Sequence, residues 1–190
     1  YSNGHLAIVH ATGSIDPSRS HFEAEARMEI ADPNVPAGVL TTGWISRYLV
    51  ATAPLATGAL RGIGASNLLP HTLRGARKSL PIPDFDNFLF PGRLVTAAGR
   101  QATITDAYSR RKAPVGTTAL ETLAAFGLGG IDFAAYVPEN GAVYPDTQLG
   151  LRMRNIAALI KGNIGVEVVT IDVPGWDLHA ELGPVDGHMA

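Results

Sequence analysis

The chain contains no cysteine among its 190 residues. Disulfide frameworks and thiolate metal sites are therefore excluded, and His, Asp and Glu are the only strong metal ligands left. An excess of one charge is missing too: 15 Lys and Arg stand against 17 Asp and Glu, a formal net charge of −2. With no dense basic block, the composition argues against a nucleic-acid binder and against an electrostatic membrane-surface binder. No apolar run reaches the roughly 20 residues of a membrane-spanning helix, and no charged-then-apolar signal segment opens the chain. A GxGxxG loop, a Walker loop and any repeat of fixed period are also absent, which argues against the common nucleotide folds and against propeller blades.

What is present is enough apolar material for a core. Hydrophobic residues make up 46% of the chain, and a mean hydropathy of +0.12 suits one domain or part of a larger one. Residues 164–179, IGVEVVTIDVPGWDLH, hold a nearly continuous β-branched run, the pattern of a parallel strand covered on both faces. Before it, residues 146–161 place apolar side chains at 149, 153, 156, 157 and 160, one helical face. Asp146 is the expected N-cap, Lys161 sits in the last turn, and Gly162 stands where a left-handed cap falls. The pair predicts an α-then-β unit.

Earlier in the chain, residues 6–11 read as a strand, and Ser20 with Glu23 forms a capping-box pattern opening a helix to about Ile30. Residues 43–53 carry Trp44, Ile45, Tyr48 and Leu49 on one stripe, expected to pack in the core. Residues 54–92 read as short strands and loops, 94–110 and 114–126 as helices, and 127–144 as a linker. The segment 54–143 is a possible irregular helical insertion. The expected fold class is α/β, a mostly parallel sheet with helices on both faces.

Two places carry chemistry. Asp177 and His179 follow the end of the 166–173 run, and ligand sites of open α/β sheets gather outside the carboxyl ends of strands. A carboxylate and an imidazole two residues apart suit a shared divalent ion such as Zn²⁺ or Mn²⁺; spacing alone favours Asp177 as a helix cap and His179 as a surface residue. Ser20 lies at a helix mouth, where free amides and the dipole stabilise an anion and a nucleophile can attack a phosphate or sulfate ester. The capping box explains Ser20 equally well. Arg19 and His21 beside it can hold an oxyanion or move a proton, or be simply solvated. His10 reads more readily as a core residue than as a site residue, and Asp84 and Asp86 as loop residues.

The segments GHLAIVHATG at 4–13, DPSRSHFEAEARME at 16–29, GWISRYL at 43–49, LPHTLRG at 69–75 and the stretch 144–179 ending in GWDLH carry a resemblance. Together they resemble the bacterial domain-of-unknown-function family 1501, part of the alkaline phosphatase and sulfatase superfamily, and the match spans nearly the whole chain. The resemblance implies an alkaline phosphatase-like sheet with a divalent metal centre at its carboxyl edge, Asp177 and His179 as metal ligands, and Ser20 as nucleophile. The PSR at 17–19 is similar to the sulfatase signature, but Ile15 stands at the modifiable position, which argues against a formylglycine enzyme. Family segments expected before Tyr1 and after Ala190 make the chain an internal fragment, residues 1–190 being the middle of one domain incomplete at both ends and inactive alone. In its full-length form the implied activity is hydrolysis of a small-molecule phosphate or sulfate ester, in a periplasmic or exported protein, since members of that family often bear twin-arginine export signals. A non-catalytic envelope binding or structural module with the same fold is the alternative.

Overall fold

Gly-Ile-Gly at 62–64 forms β1 (Gly62–Gly64), the middle strand of a three-stranded parallel sheet. Its neighbours are β2 (Ser79–Pro81) and β3 (Val168–Thr170), and Ile63 lies opposite Leu80 on one side and Val169 on the other. Side chains alternate across a strand, so Ile63 serves one face and the glycines the other. Ile63 is fully buried and belongs to a core with Leu60, Ile82, Phe85, Phe133 and Leu159. On the glycine face, a Cβ at Gly64 would stand 2.6 Å from Pro70 Cδ, and one at Gly62 would stand 2.6 Å from Ser79 Oγ and 3.0 Å from Leu73 Cδ2. Bare backbone at 62 and 64 thus lets the chain between β1 and β2 lie directly on the sheet.

This computed structural model describes residues 19–32 and 41–175, together with the isolated positions 4, 9, 13, 17, 35 and 39. The strand expected at 6–11 and His10 lie outside the described residues, apart from Val9. Around the sheet stand α1 (His21–Ile30), α2 (Trp44–Ala51), α3 (Ala97–Ser109), α4 (Val115–Ala125) and α5 (Gln148–Lys161). Helices with a small parallel sheet make the chain α/β, as the sequence predicts. The strand expected over 166–173 is shorter: β3 pairs over three residues, all half-buried, because β1 offers only three residues to pair with.

Four details of the expected helices are corrected. The N-cap of α5 is Thr147, not Asp146: Gly150 N–H donates to Thr147 Oγ1 at 3.1 Å. Gly162 is right-handed (φ −66°), and the left-handed residue is Asn163 (φ 48°). Glycine at 162 answers instead to packing, since a Cβ there would lie 2.5 Å from Ile131 Cδ1. In α5 the buried residues are Gly150, Ala158 and Leu159, while Leu149, Met153 and Ile160 of the expected face are exposed. In α2 the face turned inward is that of Ser46 and Leu49; Trp44 and Tyr48, expected in the core, are about half exposed.

Candidate functional site

The mouth of α1 is built as its sequence predicts. Ser20 is in extended backbone (φ −85°, ψ 114°), and Glu23 N–H donates to its hydroxyl oxygen at 3.4 Å. This bond satisfies one of the amides a helix start leaves free. Arg19 and Ser20 are exposed, as is His21, whose ring meets Phe22 at 4.3 Å between centroids. The structure therefore brings Arg19, Ser20 and His21 together at one exposed helix start.

The far end of α1 is anchored. Glu29 accepts from Thr72 N–H at 3.4 Å and faces His71 Nδ1 at 3.9 Å. Arg74 Nη1 meets His71 Nε2 in a short contact on the other side of the ring. Arg47 of α2 completes the clasp, donating to Ile30 O and, at 2.7 Å, to Thr42 O. Glu29, Arg47 and His71 thus fix the helix that carries Ser20 against the turn 71–73 behind β1, a role that His71 alone does not reveal in the sequence.

At the carboxyl edge of the sheet the strands run into loops. After β2, Asp84 organises its own turn: Oδ1 accepts from Asp86 N–H at 3.0 Å and Asn87 N–H at 3.2 Å, and Oδ2 from Asn87 Nδ2 at 2.6 Å. Asp84 and Asp86 are the loop residues the sequence predicts. After β3 the chain passes Ile171 and Asp172, whose carbonyl accepts from Arg152 at 3.5 Å. Asp177 and His179 lie outside the described residues. Among the described residues, no three His, Asp or Glu side chains gather in a way that could hold a metal ion.

The opposite edge holds the most completely partnered charges of the described chain. Arg61, just before β1, donates through Nε to Glu167 Oε1 at 2.6 Å and through Nη2 to Glu167 Oε2 at 2.9 Å. Its remaining donors meet Leu49 O, Thr52 O at 3.2 Å and Thr52 Oγ1 at 3.2 Å. Glu167 also accepts from Leu55 N–H at 3.3 Å. Both side chains are over nine-tenths buried. The hydrogen bond to Glu167 raises the guanidinium above its ordinary range, and the same bond holds the Glu167 carboxyl below its own against the opposing effect of burial. Sequence reading passes over this pair, although one signal is there: Glu167 is the one ionisable side chain between Val166 and Ile171. It fastens the end of α2 to the start of β1 and β3, so it is a structural clamp.

Compared with known proteins, the chain matches no family model, no curated protein and no solved structure.

Proposed function

We propose that the chain is part of a metal-dependent hydrolase of domain-of-unknown-function family 1501, alkaline phosphatase-like in fold, which acts on a phosphate or sulfate ester in its full-length, exported form. The supporting observation is the direction of β3. It runs parallel to β1 and ends at Thr170, at the carboxyl edge where α/β sheets collect ligands, and Asp177 and His179 follow seven and nine residues on in the sequence.

In this reading Asp177 and His179 hold a divalent ion of zinc or manganese type. The donor set fits: a carboxylate and an imidazole are among the ligands such ions take, and the cysteine-free chain leaves no thiolate to compete. When bound, the ion supplies Lewis-acid polarisation of the ester oxygens. Ser20 Oγ forms the new bond to phosphorus or sulfur as the bond to the ester's leaving oxygen breaks. The serine proton passes to the His21 imidazole and on to the leaving oxygen, and Arg19 balances the negative charge. Two donors are fewer than the roughly four a zinc site needs, so the chain by itself binds Zn²⁺ weakly and does not turn over. Tight Zn²⁺ binding by the chain in isothermal titration would contradict this.

Elemental analysis of the full-length protein tests the metal ligands: Asp177→Ala and His179→Ala should each lose the metal, and retention in both would overturn the assignment. Turnover of aryl phosphate and aryl sulfate esters tests the nucleophile, with Ser20→Ala expected to lose roughly a thousandfold or more. Unchanged turnover would leave Ser20 as a cap. A second reading, a non-catalytic binding module, is favoured by the capping bond that already engages the Ser20 hydroxyl; a full-length protein that holds metal but hydrolyses neither ester would select it.

A further inference from the structure

The α3–α4 hairpin concentrates charge that the net value of the chain conceals. Between positions 93 and 115 stand Arg93, Arg100, Arg110, Arg111 and Lys112 against a single acid, Asp106, so this segment carries +4 in a chain that carries −2. Arg110 pairs with Asp106, and Arg100 lies over the Phe90 ring at 5.6 Å and donates to Arg93 O at 3.0 Å. Arg111 and Lys112 have no acidic partner among the described residues.

The same hairpin leaves an apolar face uncovered. Helix α3 buries none of its 13 residues. One side meets α4, where Gln101 donates to Leu123 O at 3.1 Å. Its free side is a groove: a hollow of about 570 Å³ between Phe90, Val95, Gly99 and Ile104, then, one helical turn further, a hollow of about 520 Å³ lined by Tyr108, Arg111, Lys112 and Val115. Val95 is 89% exposed and Val115 60%. Gly99, in the groove, is unexplained by the described residues: it is helical, and among them a Cβ added there meets nothing within 4 Å. A glycine inside a helix costs stability relative to alanine, so a residue this small suits a neighbour that comes close from outside.

We propose that this groove binds an acidic amphipathic helix of a partner protein, its apolar side over Val95, Gly99 and Ile104 and its carboxylates against Arg111 and Lys112. The spacing of the lining residues, three and four apart along α3, is that of helix-in-groove recognition, and a third helix would complete a small bundle with α3 and α4. A second copy of the hairpin is a poorer occupant, because it would bring Arg111 and Lys112 against like charge. This inference is independent of the hydrolase reading.

The test uses a fluorescein-labelled 18-residue helical peptide of Leu, Ala and Glu, followed by anisotropy against the full chain. Its twin with Lys in place of Glu should bind at least tenfold more weakly, and binding of the Glu peptide should weaken with salt. Arg111→Glu with Lys112→Glu should weaken it at least tenfold. Gly99→Trp, placed where a side chain has open space, should abolish binding with an unchanged circular dichroism spectrum; Ile104→Glu serves the same purpose if the tryptophan variant fails to fold. Gly99→Ala should raise Tm and weaken binding, because its Cβ stands where the partner helix comes close. Equal binding of the two peptides, or binding that survives both groove variants, would overturn the proposal. So would variant-sensitive binding of phosphatidylglycerol vesicles without peptide binding, or sedimentation showing a dimer that Ile104→Glu dissociates.

Discussion

The two edges of the parallel sheet are built in opposite ways. At the amino edge, Arg61 and Glu167 are buried and meet each other and the carbonyls, hydroxyl and amide of their neighbours, all from within the chain. At the carboxyl edge, the strands open into exposed loops, and the side chains there, such as Asp84, organise only their own turns. A buried charge whose partners all lie within the chain has no capacity left for a ligand, whereas an exposed edge into which parallel strands deliver their ends does. The amino edge is therefore tied together by its own buried charges, and the carboxyl edge leaves its strand ends to loops.

The comparison predicts that the amino edge governs stability, and its most severe test is Glu167→Ala. Removing one member of a buried pair leaves the other charge without its partner, which costs about 3–5 kcal/mol. Urea denaturation should show a loss of that size. The double variant Arg61→Met with Glu167→Leu should recover most of it, because a well-packed apolar pair does not leave a buried charge behind. A loss below about 1 kcal/mol for Glu167→Ala would make the pair no stronger than a surface contact and break the contrast between the edges.

A smaller effect should follow acid. The Glu167 carboxyl is held below its ordinary value of 4.5, so its stabilising contribution is present above that value and is lost as pH falls through the lower value of the folded state. Arg61 is shifted upward, so its contribution is complete throughout the acid range and adds no slope there. Tm should hold steady between about pH 7 and pH 5 and decline below the carboxylate range. Glu167→Gln should make that decline shallower, and an identical acid profile in the two proteins would detach Glu167 from it.

How much of this was legible in the sequence depends on the distance over which each feature is decided. Helix α1 and its Ser20 cap were legible, because the bond from Glu23 spans three residues. The end of α5 was less so: Thr147 displaced Asp146 by one position, and Gly162 answers to Ile131 rather than to a left-handed turn, a packing fact local pattern does not contain. The central strand was legible only as one of the short strands expected within 54–92, not as the middle of the sheet, since Gly-Ile-Gly has little intrinsic preference for a strand and is held there by β2 and β3. The Arg61–Glu167 clamp joins residues 106 apart in sequence, and a lone Glu among valines hints at a partner without naming it. Of the candidate site, Arg19, Ser20 and His21 were legible as neighbours at a helix start, while Asp177 and His179 lie outside the described residues.

The smallest effect gives the sharpest separation of structure from chemistry. Ser20 and Thr147 are both side-chain caps, each accepting from the amide three residues on, at 3.4 and 3.1 Å. Losing such a cap costs about 1 kcal/mol, and the longer bond at Ser20 places Ser20→Ala below Thr147→Ala in that range. Thermal melts should therefore show a small drop for Thr147→Ala and a smaller one for Ser20→Ala. Under the proposed hydrolase function the order should reverse in the full-length protein: Thr147→Ala would keep turnover of aryl esters, and Ser20→Ala would lose it. The stability change at Ser20 is too small to account for such a loss through unfolding, so that outcome would make Ser20 a nucleophile as well as a cap. Parallel, modest losses of activity in both variants would instead assign Ser20 to the architecture, alongside Thr147.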